Sequence, residues 1–284
     1  MSHTVLSVLR AAEGWLDQHQ VDAPRRSAEL LLGKVLGIDR LQLYLQHDRP
    51  LGDHERTAMR ALIARRGKHE PVAYLLGEWS FRGHTVEVSP AVLIPRPETE
   101  ELVELALASA PEGARVIELG TGSGAISVAL ALERPDLKIV ASDVSKNALA
   151  IAARNLSRHD LQSRVTLRHG SWWEACGGEE PFDLLVSNPP YVDPAQPDLL
   201  ADDVRSFEPP LALFSQHGDP ASCYRAIAAG VGRHLRSGAS LVLETGLGAS
   251  DACLAVLAGC ADLMDAELRS DLAANPRFLL ARRR

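Results

Sequence analysis

Positive charge is what the sequence has least of. Its 30 lysines and arginines are outnumbered by 37 aspartates and glutamates, leaving a formal net charge of −7. That balance argues against broad electrostatic binding to DNA or RNA, and leaves room only for a local basic patch. Cysteine is also scarce. Cys176, Cys223, Cys253 and Cys260 fall at spacings that suit no metal site, so they read as free thiols in a reducing compartment. No apolar run approaches membrane-spanning length. The start, Met1 to Asp17, is amphipathic and interrupted by Arg10 and Glu13, which a secretory signal is not. Internal repeats and low-complexity segments are lacking too. These absences point to a cytoplasmic globular protein. At 284 residues the chain exceeds the usual size of one core, so a large domain with a smaller companion is expected.

The first 70 residues read as helical. Val5, Val8, Leu9, Ala12, Trp15 and Leu16 share one helical face, and Pro24 to Leu36 forms a second helix that Gly37 closes. A short turn around Leu41 to Leu45 follows, and Asp53 is placed to cap a fourth helix through Met59, Leu62 and Ile63. From Pro71 to Pro95 the pattern is that of strands: Tyr74 and Leu75, then Trp79 and Phe81, a turn at Gly83-His84, then Val86 and Val88. Beyond Pro97, which suits a helix start, strands and helices alternate to the end. The expected fold is α/β, a doubly wound sheet of Rossmann type, preceded by a small helical bundle (1–70) and a β-hairpin linker (71–95), with the main domain over 96–284.

Two stretches carry chemistry. The first is Glu118-Leu119-Gly120-Thr121-Gly122-Ser123-Gly124, between the first strand of the domain and its helix. Glycines there let the backbone turn tightly and approach a nucleotide closely. The next strand ends in Asp143, where an acid can accept hydrogen bonds from ribose hydroxyls. Gly120, Gly122 and Ala125 also satisfy a dinucleotide pattern, so a nicotinamide-dependent oxidoreductase is a rival reading. Glu118 favours S-adenosylmethionine instead, because a carboxylate at that point repels pyrophosphate and attracts the methionine ammonium. Trp172, beside Trp173, follows the third strand and can pack against adenine, although paired tryptophans also serve ordinary packing.

The second stretch is Asn188-Pro189-Pro190-Tyr191, after the apolar strand Phe182 to Val186. The prolines end the strand, since neither donates a backbone hydrogen bond. They leave a side-chain amide, free carbonyls and an aromatic ring at the edge where α/β sheets bind ligands. A planar –NH2 group fits: the Asn188 oxygen and the Pro189 carbonyl each accept one N–H, and Tyr191 lies against the plane. No histidine is nominated as a catalyst, and His169 reads as structural.

With those residues in view, the chain resembles the HemK/PrmC methyltransferases over nearly its whole length. The matching stretches are Tyr74 to Gly77, Phe81 to Val88, Ile94 to Glu100, Glu118 to Gly124, Asp143, Asn188 to Tyr191, and Phe207-Glu208-Pro209 with Ala212-Leu213. Pro97-Glu98-Thr99-Glu100 points to the release-factor branch rather than to the sister enzymes that methylate a ribosomal-protein glutamine. The resemblance implies a class I S-adenosylmethionine-dependent enzyme that methylates the glutamine nitrogen of the Gly-Gly-Gln motif in class I peptide chain release factors. It implies cofactor contacts by Glu118, Gly120, Thr121, Gly122, Ser123, Gly124, Asp143, Trp172 and Asn188. Asn188, Pro189, Pro190 and Tyr191 then hold the substrate amide and carry catalysis. No metal and no direct nucleic-acid partner is expected, and the enzyme is read as a monomer whose N-terminal bundle docks the release factor. Ala249 and Ala274 depart from the family pattern, standing where a glutamine and a glycine are usual. A DNA adenine methyltransferase and a non-enzymatic cofactor-dependent module remain as competitors; the first would also need to extrude a base from a duplex.

Overall fold

The computed structural model describes residues 3–196, 200–215, 218–246 and 248–284. The chain divides into two compact units, 1–78 with 200–207, and 79–199 with 208–284.

In the first unit, α1 (Val5–Gln18) buries Val5, Leu9, Ala12 and Leu16, the i, i+4, i+7, i+11 stripe of an amphipathic helix. Thr4 caps it by accepting from the Ser7 amide at 3.3 Å. Helix α2 (Pro24–Leu36) opens on its proline and stops at Gly37, whose φ of +66° is the left-handed geometry that glycine adopts without cost. After α3 (Arg40–Leu45), α4 (Asp53–Arg66) starts one residue earlier than the acid at its head suggests. Asp53 is inside the helix, and the Gly52 amide is taken by Glu55 at 2.8 Å. Tyr74 and Leu75 are not in a strand. They are buried in a short helix, α5 (Val72–Leu76), because Pro71 supplies a helix start and Gly77 a left-handed stop. Leu9, Leu16, Leu31, Leu32, Met59, Ile63 and Leu75 close one core.

The second unit begins with a hairpin, β1 (Glu78–Phe81) and β2 (His84–Glu87). Its turn is Arg82-Gly83, one residue before the expected position. Both residues have positive φ, as a two-residue hairpin turn of this twist demands. Arg82 is held there by Glu100, which accepts its amide at 2.9 Å, and by Glu133, which accepts its guanidinium at 2.6 Å.

Helix α6 (Pro97–Ser109) then leads into the main sheet. Its parallel strands are β3 (Arg115–Leu119), β4 (Lys138–Asp143), β5 (Val165–His169), β6 (Phe182–Ser187) and β7 (Leu235–Glu244). Strands β8 (Leu263–Ser270) and β9 (Pro276–Arg283) complete seven, in the order β5-β4-β3-β6-β7-β9-β8. β9 lies antiparallel between β7 and β8. Helices α7 (Ala125–Glu133), α8 (Lys146–Arg158), α9 (Asp202–Phe207), α10 (Pro210–Leu213), α11 (Ser222–His234) and α12 (Ser250–Ala258) follow in chain order, α9 falling in the first unit. The chain winds outward from β3 through β4 to β5, then returns to β6 beside β3. The strand order therefore reverses between β3 and β6, and the crevice at their carboxyl ends is where such sheets bind ligands. Ala274 has a φ of +64°, a left-handed conformation that glycine adopts freely and that strains alanine. Among the described residues no helix is long and apolar enough to cross a membrane.

Candidate functional site

Both chemical stretches emerge at the β3/β6 switch point. β3 runs out at Leu119 into Gly120 and Gly122, whose φ values are +75° and +55°. A Cβ at either position would meet no atom within 4 Å, so both face open space. Gly124 is different. A Cβ there would come within 3.2 Å of the Ala152 Cβ, so this glycine lets α7 pack against α8.

Glu118 is fully buried beneath the loop. Its Oε2 accepts from Thr121 Oγ1 at 2.8 Å and from the Ser127 hydroxyl, while Oε1 has no partner among the described residues. Burial pushes its carboxyl up to about 7, and the nearby Asp143 charge adds to that. Asp143, at the end of β4, closes the loop: its Oδ2 accepts from the Gly122 amide and its Oδ1 from the Ser145 amide, each at 2.8 Å. Burial raises its pKa too, against the lowering effect of these amides.

The two tryptophans separate. Trp173 is core: its indole N–H donates to the Ile227 carbonyl at 2.8 Å and its ring stacks on His234 at 4.9 Å. Trp172 begins a 3-10 turn with φ +47°, an outlier for a bulky side chain of the kind that collects at functional sites. His169 is exposed, with Nε2 3.1 Å from the Val144 carbonyl.

At the end of β6, Ser187 Oγ donates to the Leu119 carbonyl at 2.5 Å and ties the two strand ends together. Asn188 comes next. Its Nδ2 lies 3.2 Å from Thr99 Oγ1, and Thr99 Oγ1 lies 2.7 Å from Glu244 Oε2. No described residue takes the Asn188 Oδ1. Tyr191 rests on Gly246, where a Cβ would come within 2.3 Å of the ring, and burial pushes its phenol up to about 12.

A cavity of about 240 Å3 gathers these elements. Gly120, Thr121, Gly122, Ser123, Asp143, Trp172, Asn188 and Pro190 line it. Glu118, Gly124, Pro189 and Tyr191 do not form its wall. The wall also includes residues given no role on sequence grounds: Arg96, Thr99, Pro209 and Leu211. Their signal was present in the Ile94–Glu100 and Glu208-Pro209 motifs, but its meaning is tertiary. Glu208, buried, accepts from Arg96 Nη2 at 2.5 Å and from the Ile94 amide at 3.1 Å, so two segments 112 residues apart form one rim.

Known proteins are similar to this chain along most of its length. The family described as PrmC N-terminal domain matches residues 7–77, and that described as Methyltransferase small domain matches residues 99–203. A release factor glutamine methyltransferase from Xylella fastidiosa is 45% identical over 260 residues, covering 91% of this chain and 93% of that one. Its namesake in Geobacter sulfurreducens is 42% identical over 251 residues, covering 88% and 87%. The one in Nitratidesulfovibrio vulgaris is 40% identical over 286 residues, covering 99% and 96%. Among solved structures, a methyltransferase from Pyrococcus furiosus superposes with a TM-score of 0.51 at 18% identity, covering 79% of this chain and 96% of that one, a likeness of fold alone. Identity of 40% or more, sustained through the helical unit and the sheet domain, exceeds what a shared Rossmann-like fold requires: the chain belongs to the release factor glutamine methyltransferase family.

Proposed function

We propose that the protein uses S-adenosylmethionine to methylate the side-chain nitrogen of the Gly-Gly-Gln glutamine in class I release factors. The observation that carries this reading is the Asn188 carboxamide, its oxygen unclaimed by any described residue, on the wall of the cavity that the glycine loop and Asp143 also line.

The cavity suits the cofactor in several respects. Gly120 and Gly122 leave room for close approach, Asp143 offers carboxylate lone pairs to ribose hydroxyls, and Trp172 offers an indole for the adenine. Glu118, under the loop with Oε1 unpartnered, supplies negative potential for an ammonium. Bound there, S-adenosylmethionine supplies an electrophilic methyl group. The amide nitrogen is a weak nucleophile because its lone pair is delocalised, so the residues act by orientation and charge. Asn188 Oδ1 accepts one amide N–H and Pro190 lies beside the amide plane, both on the cavity wall, while Pro189 and Tyr191, which form no part of that wall, support the turn that presents them. The acceptor oxygen stabilises positive charge as it develops on nitrogen. No base is needed beforehand, since the proton leaves afterwards.

The first unit is assigned to docking of the release factor body. One glutamine side chain presents too little surface to select one protein, and remote contacts can be used to position the reacting group. Its α3 leaves Leu41 and Leu45 exposed to solvent, 67% and 72%, for such a contact.

The test is incubation with labelled S-adenosylmethionine and a recombinant class I release factor, followed by peptide mass mapping. One methyl group on the Gly-Gly-Gln glutamine is the expected result. Label on another residue, or none, overturns the reading.

A further inference from the structure

We propose that Thr99 and Glu244 are positioning residues that fix which end of the Asn188 side chain faces the substrate. The inference rests on the glutamine-methylating reading above and gives that site a polarity.

Thr99 lies in the first turn of α6 and Glu244 at the end of β7, both buried. Thr99 Oγ1 stands between Glu244 Oε2 at 2.7 Å and Asn188 Nδ2 at 3.2 Å. A hydroxyl has one proton to give, and an ionised carboxylate can only accept. The Thr99 proton therefore goes to Glu244, and its lone pair must accept from Asn188. That assigns the Asn188 –NH2 to Thr99 and turns Oδ1 to the other side, where a substrate –NH2 needs an acceptor. If Glu244 is protonated, it can donate to Thr99, and Thr99 can then donate to the Asn188 oxygen. The carboxamide reverses and presents its own –NH2 to the substrate –NH2, two donors facing each other.

The surroundings of Glu244 keep this choice within reach. Arg277 from β9 and Arg96 before α6 favour the ionised form, and Glu98 on α6 opposes it. Tyr191 and Tyr224 also face it, and the Tyr224 hydroxyl is committed to the Glu244 backbone carbonyl at 2.5 Å. Burial is the largest influence and pushes the carboxyl up to about 7.

The experiment measures kcat, KM and cofactor affinity for the full chain on a glutamine-bearing peptide at saturating S-adenosylmethionine, with Thr99→Val, Thr99→Ser and Glu244→Gln. Thr99→Val, which keeps shape and loses the hydroxyl, should lower kcat roughly 10- to 100-fold while Thr99→Ser stays within about threefold of wild type. Calorimetric cofactor affinity should be unchanged in both, which also shows that they are folded. The wild-type kcat should decline as pH falls through about 7, and Glu244→Gln should lose that decline. Should Thr99→Val fail to fold, the Glu244→Gln profile decides alone. Wild-type turnover that Thr99→Val leaves intact, equal losses in Thr99→Val and Thr99→Ser, or an unaltered profile in Glu244→Gln overturns the positioning role. A wild-type enzyme that methylates no glutamine overturns the functional reading and this inference with it.

Discussion

Glu29 of the helical unit and Glu118 and Glu244 of the sheet unit are buried acids treated in opposite ways. In the helical unit Glu29, 2% exposed, is met by Arg25 at 2.7 Å, Arg40 at 2.6 Å and the Tyr44 hydroxyl at 2.5 Å. Burial works to raise its pKa, but hydrogen bonds from Arg25 and Tyr44 and the charge of Arg40 bring it below its ordinary value. In the sheet unit Glu118 and Glu244 have hydroxyls as their side-chain hydrogen-bond partners, and burial lifts each to about 7. Glu29 is neutralised by cations inside the fold, whereas Glu118 and Glu244 are left short of them, at a cost in stability that a bound group can return.

The strongest way to sharpen this contrast is Asn188→Ala. Steady-state kinetics should show a loss of about 100- to 1,000-fold in kcat with the fold intact, because one oriented acceptor is removed from the developing charge. Glu29→Gln should leave turnover on a short glutamine peptide unchanged; a comparable loss there would break the division of labour.

The second test is pH, where the two kinds of acid have opposite signs. Raised folded pKa values at Glu118 and Glu244 contribute stability that is fully present below the ordinary glutamate value of 4.5 and is lost as pH rises through about 7. Glu29, lowered, contributes stability present above 4.5 and lost as pH falls through its folded value. Denaturant unfolding of the cofactor-free enzyme should thus weaken between pH 5 and 8, by up to about 3 kcal/mol for each of the two raised acids. Glu118→Gln should remove about half of that alkaline loss, leaving the Glu244 share, and Glu29→Gln should flatten only the acid-side loss. An alkaline loss that Glu118→Gln leaves unaltered would sink the assignment.

Asp143→Ala comes third. It removes a charged acceptor from the cavity and should weaken cofactor binding by about 1.5–3 kcal/mol in calorimetry. It also frees the Gly122 and Ser145 amides, so unchanged affinity would count against both the loop closure and the ribose contact.

The smallest effect belongs to the helical unit. Leu41→Ser with Leu45→Ser should raise KM for intact release factor by about fivefold, near 1 kcal/mol, as expected for loss of exposed apolar contacts. KM for the short peptide should not move. Equal changes on protein and peptide would remove the docking role.

What was legible in the sequence was whatever depends on local order. The 3.6-residue stripe in α1, the Pro24 start and Gly37 stop of α2, and the alternation of strands and helices after Pro97 were readable because neighbours in sequence decide them. So were the glycine loop, Asp143 and Asn188 as candidates, since strand ends in an α/β sheet are where ligands gather. Tyr74 and Leu75 misled because a short apolar pair carries no period, and the flanking Pro71 and Gly77 settled them as helix. Tertiary structure alone decided that Trp172 faces the cavity while Trp173 is core, that Glu118 is sealed beneath its loop, and that Glu208 meets Arg96. It alone placed Thr99 between Asn188 and Glu244, 89 and 145 residues away along the chain. Those pairings depend on which strand ends the sheet order brings side by side, and on the burial of Thr99, Glu208 and Glu244, which leaves a missing partner costly.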